Sequence, residues 1–275
     1  MRHLALFAIP LVLAAGAARA QQVPNAPIGT TAESSANQPG QPPAMTPRQV
    51  AVMRAEILMA RKDYAEAVGA YTTLLRDDPK NATMLNQLGI AYQQLHEDDQ
   101  AAHFYKKAIR TDKKYSSALN NLGTLEYGNN HYGKAIKYYK RALDTGENLS
   151  AVYSNLGYAY CAIKEFPLAL ESFRKAIALD PNVFESKSGA GTVLQQRSTP
   201  DPGALNFLLA KSYARMGEVE RTARYLKIAR DDGYKNLLSA EKDPDFARVI
   251  KDPRVQEVLR VRPPFADQPD KPVSN

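Results

Sequence analysis

Between residues 48 and 183 the apolar positions fall into paired stretches with a helical period. One member of each pair is clearest in NQLGIAYQQL (86–95) and NLGYAYCAI (155–163). The other reads YAEAVGAYTTLL (64–75), QAAHFYKKAI (100–109), YGKAIKYYKRAL (132–143) and PLALESFRKAI (167–177). Apolar residues recurring at i, i+3, i+4 and i+7 put one apolar stripe on each helix. Two such helices cannot bury their stripes alone, so the pattern predicts a stack of helix-turn-helix units.

The pairs repeat every 34 residues. Tyr71, Tyr105, Tyr139 and Phe173 form an aromatic ladder. Ala67, Ala101, Ala135 and Ala169 form a second, and Ala108, Ala142 and Ala176 a third. Leu88-Gly89, Leu122-Gly123 and Leu156-Gly157 form a fourth. The units are then 48–81, 82–115, 116–149 and 150–183, with no insertion. A mid-helix Gly costs about 1 kcal/mol against Ala, so three at one interval must be offset by close packing. The small residues Ala101, Ala135 and Ala169 are expected opposite these glycines, with the aromatic rings filling space toward the next unit. Asp78-Pro79 and Asp180-Pro181 are expected helix boundaries, since Pro suits the first turn after an Asp cap.

These ladders resemble the tetratricopeptide repeat (TPR) family. Leu88, Gly89, Tyr92, Ala101, Tyr105 and Ala108 carry the resemblance in unit two. Leu156, Gly157, Tyr160, Ala169, Phe173, Ala176 and Pro181 carry it in unit four. Unit one departs with Arg54-Ala55 and unit three with Glu126; Lys113 and Glu147 replace the closing Pro of units two and three. The resemblance implies an all-α, right-handed α-solenoid whose first helices line a concave side. Three rows would face that side: Asn86, Asn120 and Ser154; Ile90, Thr124 and Tyr158; Gln93, Tyr127 and Cys161. Asn121 and Asn155 lie alongside. Amides donate to and accept from a peptide backbone and Tyr gives rigid contact area, so the rows are expected to form a groove for an extended partner segment. None of the nine row residues is basic, which excludes the Lys/Arg carboxylate clamp of some cytosolic relatives.

Beyond 183 the register weakens. Residues 184–197 read as a lone degenerate first helix. A divergent unit follows at 203–236, with Thr222 where Ala is expected. Residues 237–262 read as a short helical cap with helices opened by Asp243-Pro244 and Asp252-Pro253, closing the last apolar face.

The two ends change the picture. MRHLALFAIPLVLAAGAARA has one early Arg, an apolar run from Leu4 to Ala17 and Ala18-Arg19-Ala20, the form of a secretory signal peptide (1–20). The expectation is an exported chain, periplasmic or secreted, with no stable membrane insertion. Residues 21–47 and 263–275 are rich in Pro and polar residues and read as a tether and a tail. Cys161 is the only cysteine, so no internal disulfide is available and packing must supply the stability. It is expected to be a half-buried packing residue.

The net charge is +7, a mild excess that does not call for nucleic acid. Lys106, Lys140 and Arg174, with Lys107, Arg141 and Lys175, would align into a basic stripe on the outer helices. A solvated face is the simpler reading; a binder of anionic envelope polymers or lipid head groups is the alternative function. His96 beside Glu97 and Asp98 has no metal motif or phosphate loop near it, so no catalytic residue, metal or cofactor is expected. The function read from the sequence is a non-enzymatic protein–protein interaction scaffold of the bacterial envelope. It does not specify the partner or the oligomeric state.

Overall fold

A computed structural model describes residues 45–147, 149–185 and 200–261. The expected signal peptide, the tether up to residue 44, residues 186–197 of the degenerate helix, and the tail lie outside the described residues. Within them the chain is all-α and pairs its helices in order. The pairs are α1 (Pro47–Arg61) with α2 (Tyr64–Asp77), α3 (Ala82–Gln94) with α4 (Asp98–Thr111), and α5 (Ser116–Gly128) with α6 (Tyr132–Leu143). They continue with α7 (Leu149–Ala162) and α8 (Phe166–Leu179), then α9 (Pro202–Met216) and α10 (Val219–Asp231). Two 3-10 turns, Leu237–Glu241 and Pro244–Phe246, and α11 (Pro253–Arg260) close the chain.

Each second helix packs on the first helix of the next pair, and successive first helices α3, α5, α7 and α9 touch one another. α9 packs on α8 and reaches α7, as α7 does with α6 and α5. The fifth pair therefore continues the stack directly after the fourth. Val183 is buried and Phe184 packs its ring edge-on to Tyr158 and Phe173, so the start of the expected degenerate helix belongs to the fourth unit's core.

The glycine ladder works differently from the expectation. A Cβ on Gly89 would stand 2.6 Å from the Tyr105 ring, on Gly123 2.6 Å from Tyr139, and on Gly157 2.4 Å from Phe173. The ring of the same unit, not the opposing Ala or the next unit, occupies the space a side chain would need. Ring and glycine are one packing device, and the rings are fully buried. The fifth pair drops both halves together: Ala210 stands at the glycine position and Leu226 at the aromatic one, both buried. Thr222, the departure from Ala, is buried without cost to its hydroxyl, which donates to Glu218 O at 2.8 Å.

A ladder not foreseen from the residues runs through the turns. Lys62, His96, Asn130 and Lys164 have φ near +60°, and Gly217 has φ +84°. They end each first helix at the same place in the repeat. The next N–H reaches five residues back: Asp63 to Leu58 O, Glu97 to Tyr92 O, His131 to Glu126 O, Glu165 to Tyr160 O and Glu218 to Tyr213 O, at 2.8–3.1 Å. This left-handed closure satisfies carbonyls that the helix end leaves open. Only Asn and Gly adopt it readily, so the two lysines and the histidine gave no signal.

The Asp-Pro boundaries divide into two kinds. Asp78 and Asp180 are C-caps that end α2 and α8, and their prolines sit in the connecting turns, not at a helix start. Asn81 caps α3 instead, accepting from Met84 N at 3.0 Å. By contrast Asp243 and Asp252 cap the elements they precede, accepting from Asp245 N and Arg254 N. Thr46 and Pro47 are also not tether. Thr46 and Gln49 form a reciprocal capping box that starts α1.

Candidate partner-binding face

The expected groove residues sit on α3, α5 and α7, and most are interior. Asn86, Asn120, Asn121, Thr124, Tyr127, Ser154, Asn155 and Tyr158 are buried, as is Cys161; only Ile90 and Gln93 are half-exposed. The amides bond to one another. Asn121 Nδ2 donates to Asn86 Oδ1 at 3.0 Å, and Asn155 Nδ2 donates to Asn120 Oδ1 at 2.9 Å. These are rungs tying the first helix of one unit to that of the next. Thr124 donates to Asn120 O and accepts from Tyr139. Gln93 accepts from Tyr105 at 2.7 Å. Tyr127 lies edge-on to Tyr132, and Tyr158 to Phe173. Of the eleven expected positions only Ile90 and Gln93 leave side-chain surface open to a partner; the other nine are interior.

Two groups in the first row are left over. Asn120 Nδ2 and Ser154 Oγ are buried with no hydrogen-bond partner, each at a cost of about 1–3 kcal/mol. Burial pushes the Cys161 thiol up to about 12, with a smaller contribution from Asp201. It is an inert packing residue, more buried than the sequence suggested.

The basic stripe is largely committed. Arg174 turns to Asp245 at 2.5 Å, and Lys175 pairs with Glu171 at 2.7 Å and lies over the Tyr153 ring. Lys140 lies over Tyr160 and Arg141 over Tyr138. Lys106 stays exposed and Lys107 half-exposed. The expected row of six free cations is thus reduced by contacts with neighbouring rings and acids. His96 is exposed in its left-handed turn. His131 Nδ1 lies 2.9 Å from Glu126 Oε2, the Glu by which unit three departs. Among the described residues no three His, Cys, Asp or Glu side chains group as a metal site.

The models of the tetratricopeptide repeat family match residues 52–116, 116–150 and 150–183, the stretch that carries the ladders. The chain is a tetratricopeptide repeat protein. The TPR array also resembles solved structures. The pilF protein of Pseudomonas aeruginosa is 22% identical with a TM-score of 0.51, covering 77% of this chain and 88% of that one. PilW, described as a widely conserved type IV pilus biogenesis factor, is 18% identical with a TM-score of 0.51, covering 78% and 100%. MamA is 21% identical with a TM-score of 0.47, covering 67% and 91%. At identities this low, pilF and PilW speak for the shared fold alone. No curated protein matches the chain in sequence.

Sequence reasoning missed a feature at the other end of the array. Asp245, just inside the cap, meets Arg174 of α8 and Lys211 and Arg215 of α9. Lys211 also reaches Asp243 at 2.6 Å. Burial raises the Asp245 carboxyl, but Arg174 and Lys211 outweigh it and hold it below its ordinary value. The only signal was Asp243-Pro244 itself, which marks an element start but not its partners.

Proposed function

We propose that this TPR protein is a non-enzymatic interaction scaffold of the cell envelope that holds an extended segment of a partner protein along the first helices of its two N-terminal units. The carrying observation is a gradient in burial at equivalent positions. Ile90 is half-exposed while Thr124 and Tyr158 in its row are buried; Gln93 is half-exposed while Tyr127 and Cys161 are buried. In α1 the matching positions are Val52, Glu56 and Met59, none of them buried. Val52, Met59 and Ile90 offer apolar contact, and Glu56 and Gln93 offer polar groups for a peptide backbone. Extended solenoid surfaces suit segments of this kind.

Photo-crosslinking residues placed at Met59, Ile90 and Gln93 test the reading, with Lys137 on an exposed second-helix position as control. Protein adducts are expected from the first three sites. Adducts from Lys137 alone would overturn it. Capture should also survive Lys106→Glu with Lys140→Glu; loss in that variant would favour binding of anionic polymers. The envelope assignment rests on the arrangement of Arg2, the Leu4–Ala17 run and Ala18-Arg19-Ala20. No described helix is long and apolar enough to cross a membrane. Fractionation should place the full chain outside the cytoplasm and a chain lacking residues 1–20 inside it. Equal distribution of the two would remove the export assignment.

A further inference from the structure

We propose that a cavity between α8, α9 and the second 3-10 turn is a separate binding site for an oxyanion, carboxylate or phosphate, carried on a short apolar body. The cavity measures about 690 Å³, within the range of small-molecule sites. Arg174, Arg215 and Arg248 line it together with Asp245, and Ala178 and Met216 give it apolar surface.

The charges do not balance. Arg174, Lys211, Arg215 and Arg248 bring four cations to this corner, against the carboxylates of Asp243 and Asp245. Asp245 is already shared by Arg174, Lys211 and Arg215, which leaves nothing of it for Arg248. Arg174 adds an unmet demand: its Nη2 is taken by Asp245, but its Nε is buried and makes no hydrogen bond. Buried donors of this kind ask for an acceptor.

The exposed guanidinium forks of Arg215 and Arg248 match a carboxylate or phosphate in two parallel bonds, so an anionic head answers the charge excess. A bare ion would leave the remaining cavity and its apolar lining unused. Ser212 adds no group for a ligand to use, because its hydroxyl donates back to Leu208 O at 2.8 Å. This site lies on later helices than Ile90 and Gln93, the positions proposed to meet a partner, and shares no residue with them, so its test is independent of theirs.

Calorimetric titration of the full chain with octyl phosphate and with octanoate tests the site. Octyl glucoside supplies the same tail without charge, and inorganic phosphate the head without a tail. Arg215→Gln with Arg248→Gln is the variant, because Arg215 is largely exposed and Arg248 exposed; unchanged circular dichroism verifies its fold. Arg174 and Lys211 are left alone because they hold the cap. At least one of the two amphiphilic anions should bind, and the one that binds more tightly identifies the head group. Affinity should fall about 10-fold for each guanidinium removed. The proposal is overturned by equal affinity in the variant, by octyl glucoside binding as tightly, or by inorganic phosphate binding as tightly as octyl phosphate.

Discussion

The two ends of the array are built in opposite ways. At the N-terminal end α1 buries only Ala55, and Val50, Met53 and Ile57 stay 46%, 41% and 47% exposed. At the other end α9 is buried on nearly every side. The cap then seats Phe246, Val249, Val255 and Leu259 in the core and anchors itself through Asp243 and Asp245. A stacked repeat has to close its last apolar face. Among the described residues one end is closed by the cap, and the first helix at the other presents an apolar surface. The sealed end buries far more side chains, and the open end carries the positions proposed to meet a partner.

The largest expected effect that could break this contrast is at the cap. Phe246→Ala removes a fully buried ring that packs near Phe207 and should cost about 3–5 kcal/mol in urea unfolding. Met53→Ala at the open end should stay within about 0.5 kcal/mol. Similar losses from both would end the division.

Gly123→Leu probes the middle. The new side chain must displace the buried Tyr139 ring, costing about 1–3 kcal/mol or more. A loss near zero would mean that ring and glycine do not interlock. Alkali probes the same device. Burial pushes Tyr71 up to about 12 and pushes Tyr105 and Tyr139 higher still. The native state thus holds protons that the unfolded state releases, so stability is full below the ordinary tyrosine value of 10.0 and falls as pH rises past it. Absorbance at the tyrosinate band should rise together with loss of helix, and Tyr71 should lead. Free ionisation of all three with the fold intact would contradict their burial.

Smaller effects sharpen the picture. Lys164→Gly relieves a left-handed residue at φ 63° and should stabilise by about 1 kcal/mol in thermal unfolding. Hydrogen exchange should rank α1 and α2 as the least protected helices. Protection at α1 equal to that at α9 would place the weak end elsewhere.

The fold was legible because its packing device is periodic. Glycine, aromatic and alanine recur at one interval, and each position has one steric role. The candidate site was much less legible. Asn86 shares a face of α3 with Ile90 and Gln93, and Asn120 and Tyr127 hold the equivalent face of α5; periodicity reports which residues share a face, not whether a neighbour covers it. The amide rungs depend on Asn86 meeting Asn121 across two units, which no local pattern announces. The Arg174–Asp245 contact joins α8 to the cap over a long stretch of chain, so the stripe looked free on its own helix. The turn ladder escaped because Lys62, His96 and Lys164 are residue types that seldom adopt the left-handed region.

The amide rungs also bear on how such a gene can change. Unit three carries both halves of a rung, Asn121 toward unit two and Asn120 toward unit four. A tandem copy of that whole unit would bring a matching Asn above and below and rebuild every rung. A copy begun or ended out of step would strand two buried amides. Recombination can therefore lengthen or shorten the middle of this array, but only in complete repeats.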